Sequence, residues 1–288
     1  CPGWLWAVAL PVFLLAHEAG AAERVVVQLS YLHQFQFAGI YAAEAKGYFR
    51  EAGLDVEVQT AAGERRSVVR EVQEGRADYG IAQSHQLVSN RIDGGDSVVL
   101  AAIMQHSPLV LVTRAEANLN TPHDLVGRRV ALDNTAMASE IRAMLEREGV
   151  GYDRIKVVPN LWQTNELNAG TADAMSAFIL DTPFLMQRQG QPVHIMRPLD
   201  YGVDFYGDCL FTTQRKLAAA PEQVARLRAA VLRGWQYALQ HPEEMIELIL
   251  TRYPSDGPQP QRRAGLDREM LRNEATQMAV LMHVDLVE

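Results

Sequence analysis

Between residues 25 and 58 the chain runs strand, polar and aromatic loop, helix, strand, and this order constrains its fold more than any other feature. Val25–Leu29 is a short β-like run, Tyr31–Phe37 a loop of rings and amides, and the helix that follows stops at Gly53 before the strand Val56–Val58. A strand that returns through a helix belongs to a parallel pair. In open α/β sheets ligands bind outside the carboxyl ends of the strands, so Tyr31–Phe37 falls at a crevice suited to a small molecule. The loop lacks the glycine pattern of a phosphate cradle.

The alternation continues along the chain, as a parallel-sheet α/β architecture requires. Ser67–Gly75 reads as a helix closed by glycine, Asp78–Ala82 as a strand and Gln86–Ile92 as a helix before the Gly94–Gly95 turn. The apolar runs Val98–Met104 and Leu109–Thr113 suit buried parallel strands. A second unit opens with the capped turn Thr121–Gly127, the strand Arg129–Leu132 and the helix Ser139–Glu148, ended by Gly149. Ile155–Val158 and Ala174–Ile179 complete a second, smaller sheet. Pro221–Gln240 and Pro242–Tyr253 are amphipathic helices opened by proline and expected on the outside of the first unit, and Pro254–Gly265 is a loop.

With 288 residues and 48% apolar content the chain can bury one large or two small cores. A net charge of -8 without any lysine or arginine block excludes a nucleic-acid partner of the basic-face kind. Cys1 and Cys209, at opposite ends, make neither a disulfide framework nor a metal spacing. Trp4–Ala16 is shorter than the ~20 apolar residues a membrane span needs and ends at the small residues Ala19–Ala22, so residues 1–22 read as a secretory leader truncated at its start. A buried N-terminal helix is the alternative, weakened by Pro11. The leader reading places the mature protein, from about Glu23, outside the cytoplasmic membrane.

Four phrases, LHQFQFAGIYAAEAKGYFREAGLDV from Leu32, GRADYGIAQSHQLV from Gly75, QHSPLVLV from Gln105 and DYGVDFYGDCLFTT from Asp200, carry a resemblance that covers most of the chain after residue 24. It resembles the thiamine-precursor-binding branch of the type II periplasmic solute-binding proteins, a family that also contains the eukaryotic thiamine pyrimidine synthases. The resemblance implies the type II periplasmic-binding-protein fold: two α/β lobes with a ligand cleft between them and two crossings, near Val112–Thr113 and Asp200–Gly202. Lobe one then comprises residues 24–111 and 204–288, and lobe two residues 112–203.

Candidate ligand-binding residues come from the strand-end loops. Ring faces with amide or imidazole edges in Tyr31–Phe37 suit a flat heteroaromatic solute. By residue type Phe35 and Phe37 are core, and the resemblance favours Tyr31, His33, Gln34 and Gln36 for the site. Gln83, Ser84 and His85 precede a helix, where they either hold a ligand acceptor or, through Ser84, merely cap. Gln105 and His106 follow another strand, His106 being either a contact or a satisfied loop histidine. Asn134 and Ser139 flank a helix start in the second lobe, Ser139 being either an anion contact or a cap. The family often has an acid directly before the proline that is here Pro183; this chain has Thr182 there and Asp181 one place earlier. Tyr206 and Asp208 follow the second crossing, where a carboxylate can bind an exocyclic amine or protonated ring nitrogen, or Asp208 is a turn residue.

The synthases of the family carry a cofactor lysine and a cysteine-rich run where this chain has Ala82, Gln83 and the single Cys209, so neither an enzyme nor a cofactor is expected. No metal site, nucleophile elbow or dinucleotide fingerprint is present in the sequence. The expected partners are a small-molecule ligand and either an ABC permease or, as the sensor domain of a histidine kinase or diguanylate cyclase, the protein's own membrane-bound signalling domain. A monomer is expected, and residues continuing past Glu288.

Overall fold

The computed structural model describes residues 22–61, 67–133, 138–162, 165–253 and 267–283. Residues 1–21 of the expected leader, Asn134 and the loop at 254–265 lie outside them. The strands are β1 Glu23–Gln28, β2 Leu54–Gln59, β3 Tyr79–Gln83, β4 Ser97–Ala102, β5 Leu109–Arg114, β6 Arg129–Leu132, β7 Lys156–Pro159, β8 Ala174–Phe178, β9 Val193–Met196 and β10 Asp208–Thr213. They form two five-stranded sheets, ordered β2-β1-β3-β10-β4 and β7-β6-β8-β5-β9. The helices are α1 Ala38–Ala45, α2 Tyr48–Glu51, α3 Val68–Gln73, α4 Ser84–Ile92, α5 Ser139–Arg147, α6 Thr182–Arg188, α7 Gln214–Ala219, α8 Pro221–Gln240, α9 Pro242–Arg252 and α10 Arg268–Leu281.

The opening strand–helix–strand unit is parallel, with Val25 opposite Val56 and Val27 opposite Val58. Two expectations are corrected. Neither apolar run forms a parallel strand pair: β4, within Val98–Met104, lies antiparallel to β10, and β5 lies antiparallel to β8 and β9 along its length. An apolar run records burial on both faces and carries no strand direction. The expected division at 111/112 therefore cuts through a strand of the second sheet, and the first passage between the sheets falls at residues 103–108. The second sheet is also no smaller than the first, because β5 and the half-buried β9 join it. The return passage runs between β9 and β10, at residues 197–207, and contains Asp200–Gly202.

β5 shows how the cores are divided. Val110 and Val112 point into a large apolar cluster shared with Val25, Val27, Tyr79 and Leu210 of the first sheet, whereas Leu109 and Leu111 point into a second cluster with Val130, Ile141 and Met144. Alternate residues of a strand face opposite sides, so one strand serves both cores. In the first half α8 lies on α1 at Gly39 and Gly234, where a Cβ on Gly234 would overlap the Gly39 carbonyl oxygen and one on Gly39 the Trp235 ring. Only glycine permits so close a helix crossing.

Candidate functional site

The loop after β1 is anchored by its phenylalanines. Phe35 and Phe37 sit in a one-turn 3-10 helix and are fully buried in the core, as their residue type suggested. That anchoring sets the intervening amides. The buried Gln34 donates to Gln36 at 2.5 Å, and Gln36 donates to Asp208 Oδ2 at 2.6 Å. Asp208 opens β10, directly opposite Gln83 at the end of β3, and is therefore a strand residue and not a turn residue. Burial pushes its carboxyl up to about 6, against the opposing pull of the Gln36 hydrogen bond and the nearby His85 imidazole. Its Oδ1 has no hydrogen-bond partner.

β3 ends at Gln83, which caps α4 in a reciprocal box with Gln86. Ser84 is thus not the cap; its hydroxyl donates to the Tyr206 carbonyl. His85, one residue on, is buried and places Nδ1 3.7 Å from Oε1 of Glu140, which comes from the first turn of α5 in the second half. Neither His85 Nδ1 nor Glu140 Oε2 has a hydrogen-bond partner. Ser139 is the first residue of α5, whose cap position is Ala138, so the capping role considered for Ser139 is not the one it has.

Glu274 of α10 adds a further buried acid. Its Oε2 accepts from the Phe35 amide at 2.7 Å and its Oε1 has no partner. Desolvation holds its carboxyl well above the usual range, and the charge of Asp181 adds to the effect. Asp181 stands half-buried at the N-terminal boundary of α6 without a side-chain cap bond, accepts the Thr182 hydroxyl at 2.7 Å and is itself raised by burial. The Asn273 amide donates to the Leu180 carbonyl at 2.6 Å and ties α10 to this loop.

The remaining candidates separate from this cluster. His33 stacks on Tyr253 at 3.7 Å and bonds the Tyr41 hydroxyl at 2.9 Å, so the chain's own rings hold its imidazole. Tyr31 is half-buried against the main core. Gln105 and His106 belong to the passage between the sheets: Gln105 donates to the Ala102 carbonyl, and His106 contacts Asp204 at 2.8 Å and His283. A cavity of about 40 Å³ beside His106 has room for little more than water. The Tyr206 ring is 53% exposed, and only its main chain contributes.

Sequence reasoning missed Glu140, Glu274, Tyr41 and Tyr253. For the two acids a signal existed. Glu140 shares the buried stripe of α5 with Ile141, Met144 and Leu145, and Glu274 that of α10 with Met270, Leu271 and Met278. An acid at an apolar helical position marks a carboxylate carried into the interior. Among the described residues no lysine or arginine is buried and no group of three or more His, Cys, Asp or Glu side chains is arranged to hold a metal. Cys209 is buried beside Asp208, with its thiol pushed up to about 12, chiefly by desolvation.

A family model described as NMT1/THI5 like matches residues 34–245, which hold Gln34–Phe37 of the loop after β1, His85, Glu140 and Asp208 alike. The chain belongs to the NMT1/THI5 like family. A formylaminopyrimidine-binding protein of Halalkalibacterium halodurans is 22% identical over 82% of this chain and 72% of its own length. A putative thiamine biosynthesis protein of Haemophilus influenzae is 22% identical over 84% of this chain and 78% of its own. Among solved structures, the alkanesulfonate-binding protein SsuA of Xanthomonas axonopodis pv. citri, bound to MOPS, superposes with a TM-score of 0.64 at 15% identity, covering 89% of this chain and 85% of that one. The NMT1/THI5 like chain thus has the periplasmic-binding-protein fold, with two α/β lobes, as its sequence resemblance implied. No helix among the described residues is long and apolar enough to cross a membrane.

Proposed function

We propose that this chain is an extracytoplasmic solute-binding protein that closes its two lobes on a small heteroaromatic solute of the thiamine-pyrimidine kind and delivers it to an ABC importer. One observation carries the reading: the start of β10 and the first turns of α4 and α5 meet in a buried polar cluster, with Asp208 and His85 from one half and Glu140 from the other. A cleft between lobes, lined by apolar walls and a few placed polar groups, is where this architecture holds small ligands. The name of the Halalkalibacterium relative supports a pyrimidine ligand. The high pKa of the buried Cys209 thiol, and Ala82 and Gln83 where the synthases carry lysine, support a binding role over a catalytic one.

The test is a thermal-shift screen of pyrimidines, thiamine and small sulfonates on the purified mature chain. A ligand at a hundred-fold excess over its dissociation constant should add about 2.7 kcal/mol of stability. A screen in which no compound moves the midpoint would remove the reading. Pyridoxal phosphate should yield no borohydride-trapped adduct, and such an adduct on a site residue would restore the synthase alternative.

A further inference from the structure

Asp208 Oδ1, Glu140 Oε2 and His85 Nδ1 have no hydrogen-bond partner, in residues that are 1%, 2% and 5% exposed. Asp208 and His85 belong to the half built on the first sheet and Glu140 to the half built on the second. His85 Nδ1 and Glu140 Oε1, 3.7 Å apart, are beyond hydrogen-bonding distance. Buried carboxylate oxygens without donors are among the costlier arrangements a fold can hold, and well-packed proteins satisfy nearly all such groups. Two of them contributed by opposite lobes, with the His85 imidazole 3.7 Å from Glu140, mark a place for donors that the chain does not supply.

The same place is unsuited to anions. No lysine or arginine is buried among the described residues. The positive end of α5, which would otherwise attract an anion, carries Glu140 in its own first turn. A ring bearing an exocyclic amine beside a protonated nitrogen offers parallel N–H donors and a positive charge, the complement of a carboxylate.

Resting on the solute-binding reading above, we propose that Asp208 and Glu140 form a cation-selective clamp across the cleft, with His85 as a positioning residue, and that Glu140 restricts the ligand to amine-bearing, protonatable heteroaromatic rings. Sulfonates and oxo-substituted rings are then rejected, because they bring acceptors to a wall of acceptors.

Calorimetric titration of the full chain with 4-amino-2-methylpyrimidine, its 4-hydroxy counterpart and methanesulfonate tests this. The amine should bind at least about ten-fold more tightly than the other two. Glu140→Gln and Asp208→Asn should each weaken the amine by about ten- to a hundred-fold, the range for a hydrogen bond to a charged group. Ligand-free Glu140→Gln should melt no lower than the native chain, because Glu140 Oε2 makes no hydrogen bond for the change to break, and a purely structural role for Glu140 would lower it. Should a variant fail to fold, the selectivity of the native chain still decides. Equal binding of the 4-hydroxy ring or methanesulfonate, or an unchanged affinity in Glu140→Gln, would overturn the clamp and leave solute binding standing. No binding by any of the three, after a screen without hits, would overturn both.

Discussion

Phe37 and Asp208 are both about 1% exposed, yet burial acts on them in opposite senses. Phe37 fills the core, and Phe37→Ala should cost roughly 3–5 kcal/mol through the cavity it leaves, close to the whole stability of a marginal domain. Denaturant unfolding measures this, and a loss below about 1 kcal/mol would show that the ring packs loosely. Asp208 carries a carboxyl raised from its ordinary 3.8 to about 6. The raised value means that the protonated form is favoured in the fold: the stabilisation is fully present below pH 3.8 and is lost as pH rises through 6. The ionised side chain therefore costs the native state roughly 3 kcal/mol above pH 6. Asp208→Asn should unfold at higher denaturant than the native chain at pH 7.5 and lose that advantage below pH 4. A variant less stable at pH 7.5 would mean that the Gln36 hydrogen bond outweighs the desolvation. Glu274 is shifted in the same direction, so the variant should keep part of the native pH slope.

At the scale of elements, the crossing of α1 and α8 and the capping of α10 are the points where single residues act on whole helices. Gly234→Ala would drive a methyl group into the Gly39 carbonyl, a backbone atom that cannot swing aside. It should cost about 1–3 kcal/mol or more. An unchanged thermal midpoint for Gly234→Ala would mean that the helices have room to part. Asp267 accepts from the Met270 amide at 2.9 Å and caps α10; Asp267→Ala should cost about 1 kcal/mol and loosen the helix that carries Glu274. Amide hydrogen exchange along 268–281 reads this directly. These elements differed in how legible they were. The proline-opened α8 and α9 announce themselves by periodicity and the proline at their start, whereas β9 is three half-buried residues and the buried Met196 with no pattern to read.

The molecule as a whole consists of two sheets joined by two passages and one apolar cluster that runs through both halves. A continuous core couples the halves, so calorimetry should find a single transition with equal calorimetric and van't Hoff enthalpies. Two resolved transitions would show that each half is held by its own core alone. The exposed ion pair between Arg188 and Asp267 at 2.8 Å, although it joins α6 to the start of α10, should contribute under about 1 kcal/mol, and Arg188→Ala should leave that transition nearly in place.

The strand–loop–helix–strand opening, the alternation of strands and helices and the burial of Phe35 and Phe37 were determined by the sequence alone, because each follows from local periodicity and residue type. So was the family, through phrases that span the strand-end loops and the elements beside them. The direction of β5, the passage at 103–108 and the membership of the site were decided only in the folded chain. Strand direction depends on which neighbours pair, and an apolar run is the same in either sense. Asp208 and Gln36 are 172 residues apart in sequence and 2.6 Å apart in space, and Glu140 reaches His85 from the other half of the molecule. Such contacts arise from how the sheets are joined, and no local pattern records them. What the sequence does record is weaker: an acid at 140 and another at 274 on otherwise apolar stripes, whose burial and missing partners appear only once the helices are packed.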